Sequence, residues 1–374
     1  MIRKTPELYI GLMSGTSMDA IDAALIDFSS TPPRMIATHS EPMPHTLKKE
    51  LIDLCSPGKD AIIRMGKADH QLGHLFANSA LCLLEKTDIP NTSIRAIGSH
   101  GQTIYHSPRG DFPFTLQIGD PNIIAAITNI TTVADFRRRD MALGGEAAPL
   151  APAFHNFLLR TPKENRWVLN IGGIANITYL AADTHQPVLG FDTGPGNTLL
   201  DSWCAQTLGK AYDDKGALAA SGKVNASLLK QLLSDPYFSK KPPKSTGREY
   251  FNLDWLKQHL ASKKHDKADI QSTLLELTIE SITRAIKNTG DTNGSIWVCG
   301  GGIHNTTLMK RLRDRCSPLS ITTTESAGIH PDWIEAACFA WLAKQTLDKK
   351  PGNLPSVTGA KGYTVLGAIF LANH

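Results

Sequence analysis

The pattern of apolar and polar positions along the chain predicts an α/β protein. Short alternating or continuous apolar runs, typical of strands, lie at residues 8–13, 22–28, 34–41, 94–98, 114–118 and 131–134. Helical spacing of apolar residues covers 48–55 and 61–84, between those runs. Because strand patterns and helix patterns alternate, we expect sheets covered by helices.

One pattern occurs twice. The hairpin-like stretch Tyr9–Phe28 has a counterpart in Arg166–Asp183, and each joins two apolar runs through a tip of small residues. Further along, 94–103 and 295–305 are both apolar runs that lead into small and polar residues. This repetition, in a chain of 374 residues, predicts two duplicated domains that face a common cleft.

The predicted boundary between the domains lies at residue 134. The first domain is predicted to span 1–133, and the second to span 134–362. The apolar run Val365–Leu371 predicts a terminal helix, about 363–374, that packs back on the first domain. The stretch Ser239–Gly247, rich in Pro and Lys, predicts a surface loop.

Charge and cysteine usage narrow the class of protein. The 39 Lys and Arg residues against 35 Asp and Glu give a net charge of only +4, with no long basic run, so neither a nucleic-acid nor a membrane partner is predicted. No apolar stretch approaches a membrane span, and no signal sequence is evident at the start. The six cysteines form no C-x-x-C pair, which favours reduced thiols, a cytoplasmic location and no zinc site.

The tip of the first hairpin, Ser14–Ser17, combines glycine with hydroxyl side chains. Such a turn supplies backbone and hydroxyl donors for a phosphate chain. Asp19 and Asp22 follow it and offer the hard oxygen that magnesium prefers, through water. The alternative is an ordinary β-turn, for which the same residues are common.

The familiar nucleotide motifs are absent. The sequence contains no G-x-x-x-x-G-K-[ST], so a P-loop is not predicted. Gly300–Gly302 lacks the third glycine of a dinucleotide fingerprint, since position 305 is Asn. The triplet can instead let a purine lie against the backbone, or can simply form a tight turn.

A carboxylate on a loop rich in Gly and Pro is a candidate general base. Asp192 precedes Gly194–Asn197, and a helix is predicted over Thr198–Leu208. A rigid loop can hold a proton acceptor within reach of its target. The alternative is an Asx-turn, in which Asp192 only caps the bend.

Candidate substrate contacts lie in three other segments. The arginines of Asp135–Pro149 can bind an acidic ligand through bidentate hydrogen bonds, or can form a solvated basic turn. Ser99–Thr103 carries donors suited to sugar hydroxyls, although His100 can equally be structural. Glu335 lies in the predicted helix 331–342 and is either a cleft residue or part of an exposed stripe.

Together these segments resemble the anhydro-N-acetylmuramic acid kinases of bacterial peptidoglycan recycling. The matching stretches are GLMSGTSMDAID at 11–22, AIGSHGQT at 96–103, DFRRRDMALGG at 135–145, NIGGIAN at 170–176, GFDTGPGN at 190–197, PKSTGREYFN at 243–252, VCGGGIHN at 298–305 and PGNLPSVTGA at 351–360. The resemblance spans essentially the whole chain.

The resemblance implies a two-domain fold of the actin, Hsp70 and sugar-kinase type, with duplicated ribonuclease-H-like domains and ATP held between them. It implies a reaction in which ATP and water open the 1,6-anhydro ring of anhydro-N-acetylmuramic acid and phosphorylate its O6, giving N-acetylmuramate 6-phosphate and ADP. Magnesium is the implied metal. A homodimer is the implied assembly.

The resemblance also implies roles for individual residues. Asp192 would activate the water, and Asp19 would hold magnesium through water. The ATP phosphates would meet Gly15, Thr16, Ser17, Met18, Asp19, Ala20, Ile21 and Asp22 in the first hairpin and Gly172, Gly173 and Asn176 in the second. Adenosine would meet Gly300, Gly301 and Gly302. The sugar would meet His100, Gly101, Gln102, Thr103, Asp135, Arg137, Arg138 and Glu335.

The chain departs from the family pattern at a few positions. Ala20 replaces the usual glycine after the loop aspartate and is expected to be tolerated if its φ is negative. Glu146 and Ala147 replace the Gln and Gly of Gly-Gln-Gly-Ala-Pro, beside the candidate arginines, so substrate affinity is expected to differ. Two alternatives remain: a kinase for another amino sugar or anhydrosugar, and a non-catalytic ATP clamp of the actin or Hsp70 type.

Overall fold

The computed structural model describes residues 5–260, 265–290 and 293–372, which form two compact units. Unit 1 comprises Met1–Leu158 and Ala327–His374, and unit 2 comprises Leu159–Ser326. The first four residues of the predicted first domain and the last two of the predicted terminal helix lie outside the described residues.

Strands and helices alternate along the described chain. The strands are β1 (Leu8–Met13), β2 (Ala20–Asp27), β3 (Arg34–Pro42), β4 (Ile94–Ser99), β5 (Gln102–Ser107), β6 (Phe114–Ile118), β7 (Thr132–Ala134), β8 (Asn165–Ile171), β9 (Ile174–Leu180), β10 (Leu189–Pro195), β11 (Gly294–Cys299), β12 (Ser320–Thr323) and β13 (Ala368–Phe370). The helices are α1 (His45–Leu54), α2 (Ala61–Glu85), α3 (Pro121–Thr128), α4 (Arg138–Ala142), α5 (Ala151–Leu159), α6 (Thr198–Leu208), α7 (Ala217–Ser221), α8 (Ala226–Leu232), α9 (Pro236–Ser239), α10 (Leu253–His259), α11 (Lys267–Lys287), α12 (Thr306–Cys316), α13 (Ile334–Leu347) and α14 (Pro355–Thr358).

Unit 1 is built on a six-stranded sheet of order β13-β7-β4-β1-β2-β3. Strands β1, β2 and β3 form an antiparallel meander, and β4 and β7 run parallel to β1. Alternate residues of β1 face opposite sides of the sheet. Ile10 and Leu12 join an apolar core with Leu51 of α1 and Phe76 of α2.

The opposite face of this sheet is covered by α13, which lies unusually close to it. A methyl group added at Gly11 would lie 1.7 Å from the carbonyl oxygen of Ala336, and one at Gly98 would lie 2.0 Å from that of Phe339. Gly11 and Gly98 are register partners in β1 and β4. Two adjacent glycines therefore form the surface on which α13 packs, and this contact fixes the start of the helix that carries Glu335.

Unit 2 repeats the strand order of unit 1. Its five-stranded sheet runs β10-β9-β8-β11-β12, with an antiparallel β8-β9-β10 meander and with β11 and β12 parallel to β8. Unit 1 has the equivalent order β3-β2-β1-β4-β7. This shared topology confirms the predicted duplicated ribonuclease-H-like fold. The core of unit 2 joins Trp167, Leu169 and Ile171 to α11 and the surrounding helices.

The units divide the chain differently from the predicted boundary. Residues 134–158 and 327–362 were expected in the second domain, but they belong to unit 1. The physical reason is local: α13 packs on β1 and β4, and buried Asp140 bonds to Asn353 and Thr358.

The predicted terminal helix is wrong. Ala368–Phe370 forms β13, which pairs antiparallel with β7 and so joins the sheet of unit 1. The short apolar run fits a strand as well as a helix, and pairing with a distant strand decides between them. Among the described residues, no helix is long and apolar enough to cross a membrane.

Candidate functional site

The first candidate phosphate loop joins β1 to β2 and is anchored by apolar side chains. Met18 is 5% exposed and Ile21 is fully buried, so both side chains lie in the core. The amide of Met18 donates to the carbonyl of Gly15 across 3.1 Å, which closes a turn. A methyl group at Gly15 would contact nothing within 4 Å. The tip at Gly15–Ser17 is therefore open, and it is the part of the loop that a ligand can approach.

The two predicted aspartates, Asp19 at the end of this loop and Asp22 in β2, have protein partners. Asp19 pairs with Lys48 of α1 and keeps 67% of its side chain exposed. Asp22 accepts a 2.8 Å hydrogen bond from Ser40, and burial raises the pKa of Asp22. Asp19 thus remains the accessible carboxylate of the pair. Ala20 starts β2 with extended backbone, so the missing glycine is tolerated there.

His100 and Gln102 are held by hydrogen bonds within unit 1. The Nδ1–H of His100 donates to the Gly101 carbonyl (2.8 Å), and its Nε2 accepts from Arg137 at 3.0 Å. Burial, and then the charge of Arg137, lower the pKa of His100 to about 3, so the ring is neutral. Gln102 accepts from the Ser14 hydroxyl (2.7 Å) and donates to the carbonyl of Thr103.

A cavity of ≈ 240 Å³ in unit 1 brings together some of the residues that were predicted to contact the sugar. Its walls include His100, Gly101, Asp135 and Arg138. Arg138 donates from Nε to Asp135 across 2.8 Å. The cavity walls do not include Gln102, Thr103, Arg137 or Glu335.

Arg137 lies behind His100 and is held in place by a second hydrogen bond. Its NH1 donates to the Ala147 carbonyl across 2.6 Å. Burial lowers the pKa of Arg137 to about 10, while the negative charge of Glu335 acts in the opposite direction. The guanidinium therefore stays charged at neutral pH, and Glu335 lies close enough to help keep it so.

A buried carboxylate, Asp140, supports this arginine through the backbone. Its Oδ1 accepts from Asn353 and Thr358, each at 2.8 Å, and its Oδ2 accepts from the Ala147 amide at 2.9 Å. Ala147 has a φ of +55°, a conformation that favours glycine. The Asp140 hydrogen bond holds Ala147 in this conformation, and the Ala147 carbonyl in turn meets Arg137.

The additional negative charge of Glu146 has its own partner. Glu146 accepts a hydrogen bond from Arg109 across 2.9 Å, on the exposed side of the segment. The negative charge of Glu146 is therefore paired with Arg109.

In unit 2, Asp192 lies in β10 and not on the predicted loop. It pairs with Asn176 of β9, and the register shifts between Asp192 and Gly194. An irregularity of this kind re-aims a side chain out of the regular pleat. Three of its atoms are held: Oδ2 accepts from the amide of Thr246 (3.0 Å), the backbone N–H donates to the carbonyl of Lys244 (3.1 Å), and the backbone carbonyl accepts from the Tyr237 hydroxyl (2.8 Å).

The surroundings of Asp192 suit a base. Burial raises its pKa to about 6, and the Thr246 amide and the charge of Lys244 limit the rise. A carboxylate with this pKa is ionised at neutral pH and is a stronger proton acceptor than an exposed aspartate.

The second candidate phosphate hairpin, Gly172–Gly173, connects β8 to β9. The Gly173 carbonyl accepts from the amides of Gly196 (2.9 Å) and Thr198 (3.0 Å), and the Gly172 carbonyl accepts from Asn197 (2.8 Å). These bonds tie the hairpin to the start of α6, directly after the strand that carries Asp192.

The glycine triplet follows β11, and its three members have different environments. A methyl group at Gly300 (φ +80°) would lie 2.2 Å from Asn170 Oδ1, and one at Gly302 would lie 2.3 Å from Ile171. At Gly301 it would contact nothing within 4 Å. Gly301 lines a cavity of ≈ 340 Å³ together with Asn197, Asp201 and His304. Gly301 is therefore the member that faces open space.

One further cluster offers metal-binding atoms. Ligand atoms of His39, Glu41 and Cys82 lie within 4.8 Å of one another. His39 already bonds to Glu41 (3.0 Å) and to Lys86 (2.8 Å), so hydrogen bonding within the protein accounts for this cluster.

Several residues that hold the site were given no role on the basis of the sequence. Thr246, Lys244 and Tyr237 hold Asp192, while Asp140 and Asn353 support Arg137. Lys244 and Thr246 lie in the matching stretch 243–252, and Asn353 lies in 351–360. Those stretches, which were matched without a proposed chemistry, were the available signal.

Comparison with known proteins shows the family of this chain. The family model described as Anhydro-N-acetylmuramic acid kinase matches residues 7–372. A Coxiella burnetii (strain Dugway 5J108-111) protein of that name is 62% identical over 364 residues, which are 97% of each chain. A protein of the same name from Shewanella denitrificans is 52% identical, over 98% of this chain and 99% of its own.

A solved structure, the activator of the 2-hydroxyisocaproyl-CoA dehydratase from Clostridium difficile with bound ADPNP, is 13% identical and covers 91% of this chain and 97% of its own, with a TM-score of 0.47. The two sequence relatives and the family model extend over nearly the whole chain. They confirm the resemblance found in the motifs. The chain belongs to the anhydro-N-acetylmuramic acid kinase family and is an enzyme of the kinase class.

Proposed function

We propose that this kinase uses ATP and water to convert 1,6-anhydro-N-acetylmuramic acid into N-acetylmuramate 6-phosphate and ADP. A water oxygen forms a bond to the anomeric carbon as the bond from that carbon to O6 breaks. O6 then bonds to the γ-phosphorus of ATP, and the bond from that phosphorus to the β-phosphate oxygen breaks. The proton lost by the water goes to a carboxylate of the enzyme.

The observation that carries this proposal is the state of Asp192. It is a partly buried carboxylate with a pKa raised to about 6, and Thr246, Lys244 and Tyr237 fix its position. A base that is held rigidly and is ionised at neutral pH is what activation of the water requires. An Asx-turn alone would not require burial of the charge.

The nucleotide phosphates would bind to backbone and hydroxyl donors. The open tip Gly15–Ser17 in unit 1 and the hairpin Gly172–Gly173 in unit 2 supply such groups, and Gly301 faces the cavity proposed for adenosine. Phosphoryl transfer depends chiefly on alignment and charge neutralisation. Magnesium, when bound, supplies part of that neutralisation. The exposed carboxylate of Asp19 provides the hard oxygen that fits such an ion, through water.

The sugar would bind in the ≈ 240 Å³ cavity of unit 1. Arg138 and Asp135 offer charged groups at its wall, and Gly101 offers backbone. The lactyl carboxylate of muramic acid is a suitable partner for Arg138, since a guanidinium binds a carboxylate bidentately. Both ring nitrogens of His100 are engaged, so its proposed contribution is to orient Arg137.

The test is the release of ADP from ATP alone, with N-acetylmuramic acid, and with its 1,6-anhydro form. We expect strong stimulation by the anhydro form only. Asp192→Asn should abolish turnover and leave nucleotide binding largely intact, because the amide still accepts from Thr246 but cannot take up the proton.

Asp254→Asn is the matched control, because Asp254 is an 85% exposed carboxylate of the same unit. It should retain full turnover. Stimulation by another amino sugar would favour a different kinase specificity. ADP release that no sugar stimulates would favour the ATP clamp.

The cellular setting follows from the proposed substrate. An anhydromuramic acid is a peptidoglycan fragment, so we propose a cytoplasmic role in cell-wall recycling. The homodimer implied by the family resemblance remains a prediction, which light scattering of the purified protein measures.

A further inference from the structure

Arg248 lies directly beside the second phosphate hairpin. A methyl group placed on Gly173 would be 3.1 Å from both Nε and NH2 of Arg248. The guanidinium therefore reaches the hairpin across space that a larger residue at position 173 would fill. Arg248 was not among the site residues predicted from the sequence.

Its charge also acts on a residue of the cavity proposed for adenosine. Arg248 acts electrostatically on Asp201, which lines the ≈ 340 Å³ cavity together with Gly301. In the part of unit 2 that the structure describes, Arg284 and Arg315 each pair with Glu280, whereas Arg248 has no carboxylate within ion-pair distance. A cation without such a partner is available to an anionic ligand.

The backbone around Arg248 is fixed by the contacts that hold Asp192. Two residues before it, the amide of Thr246 donates to Asp192 Oδ2. The carbonyl of Gly247 accepts from the amides of Tyr250 (3.2 Å) and Phe251 (3.1 Å), and Phe251 is fully buried. One short segment therefore positions both the base and the guanidinium.

We propose that Arg248 binds the β- and γ-phosphates of the nucleotide and neutralises the charge that moves onto the β-phosphate during transfer. This inference rests on the proposed function. A guanidinium presents a planar fork of donors that matches phosphate oxygens. The cavity wall carries three aspartates, Asp201, Asp213 and Asp214, against one lysine, Lys215, so a polyphosphate beside it needs a further cation.

The experiment compares the affinities of adenosine, AMP, ADP and ATP by calorimetry. The proteins are the wild type, Arg248→Gln and Arg248→Lys, with Lys241→Gln as the control because Lys241 is an exposed cation in the same surface segment. Arg248→Gln should weaken ADP and ATP by about tenfold or more, the size expected for loss of a charge-assisted hydrogen bond, and should leave adenosine unchanged. Arg248→Lys should fall between, and Lys241→Gln should match the wild type.

The effect of Arg248→Gln on affinity, compared between adenosine, AMP, ADP and ATP, separates phosphate binding by Arg248 from a structural role. Equal weakening of adenosine and ATP would overturn the inference, since it would mean that Arg248 only supports Asp201 or the fold. Unchanged ATP affinity with a raised KM for the sugar would also overturn it. If Arg248→Gln melts at a lower temperature than the wild type, the comparison of Arg248→Lys with the wild type provides the test instead.

The wild type separates this inference from the function on which it rests. If the wild type binds ATP more tightly than adenosine but no sugar stimulates ADP release, the proposed reaction fails, and the comparison at Arg248 still stands. If the wild type binds no nucleotide, both fail.

Discussion

At the scale of single residues, the charge on Asp192 should govern the pH dependence of turnover. Burial raises its pKa to about 6, and only the deprotonated form accepts a proton from water. We therefore expect kcat/KM to rise with pH through about 6 and to level off above it. Lys244→Met should move this rising limb of the pH profile to higher pH, because the charge of Lys244 lowers the pKa of Asp192.

The measurement is a pH–rate profile at saturating ATP, with Lys241→Met as a control that removes an exposed charge nearby. A limb that stays in place in Lys244→Met would contradict the assignment of that limb to Asp192.

The glycine triplet gives a second prediction at this scale. Gly300→Ala should destabilise the protein by about 1–2 kcal/mol or more, because its φ is +80° and the new methyl group would lie 2.2 Å from Asn170. Gly301→Ala should keep the wild-type stability, since its methyl group contacts nothing, and should weaken nucleotide binding. Thermal unfolding and nucleotide titration of both variants check this. Equal stability of the two variants would contradict it.

At the scale of elements, the contact between α13 and the sheet of unit 1 leaves no room for a side chain. Gly11→Ala should cost several kcal/mol, roughly the range of a severe core overpacking, because the methyl group would lie 1.7 Å from the Ala336 carbonyl. The helix can only shift, and Glu335 would shift with it.

The matched control is Gly66→Ala in α2, where the methyl group contacts nothing. It should stabilise the protein by about 0.5–1 kcal/mol through helix propensity. Urea unfolding compares the two variants. Similar midpoints would show that α13 packs less closely than the carbonyl distances indicate.

The strands were the elements that the sequence predicted best. The runs at 8–13 and 114–118 coincide with β1 and β6, because alternation or continuous apolar character is a local signal. The last strand, β13, was predicted as a helix. Its identity depends on β7, far away along the chain, and no local pattern contains that partner.

The residues of the candidate site also differ in whether a local sequence pattern predicts them. Asp192 and the glycine tips were predicted because they lie in compact motifs of unusual composition. The contacts of Thr246 and Arg248 were not predicted, because they arise only when the segment 244–248 folds back on β10 and on the Gly173 hairpin. For the same reason, Asp140 gave no signal of its contacts with Asn353 and Thr358.

At the scale of the whole molecule, the repeated patterns predicted duplication, and the two sheets share one strand order. The predicted boundary at 134 differs from the observed division, because the sequence repeat does not reveal that the chain returns to unit 1 after residue 326. Asp135, Arg137, Arg138 and Glu335 therefore belong to the same unit as the first hairpin.

Because the chain returns to unit 1 after residue 326, the two units can complete their folding at different stages of synthesis. Unit 2 is a continuous segment, Leu159–Ser326, and it can finish folding as soon as it leaves the exit tunnel. Unit 1 must wait, because α13 and β13 are synthesised last. Until then the Gly11 and Gly98 face of its sheet has no helix over it, and a nascent chain halted near residue 326 would expose an apolar surface for chaperones to bind.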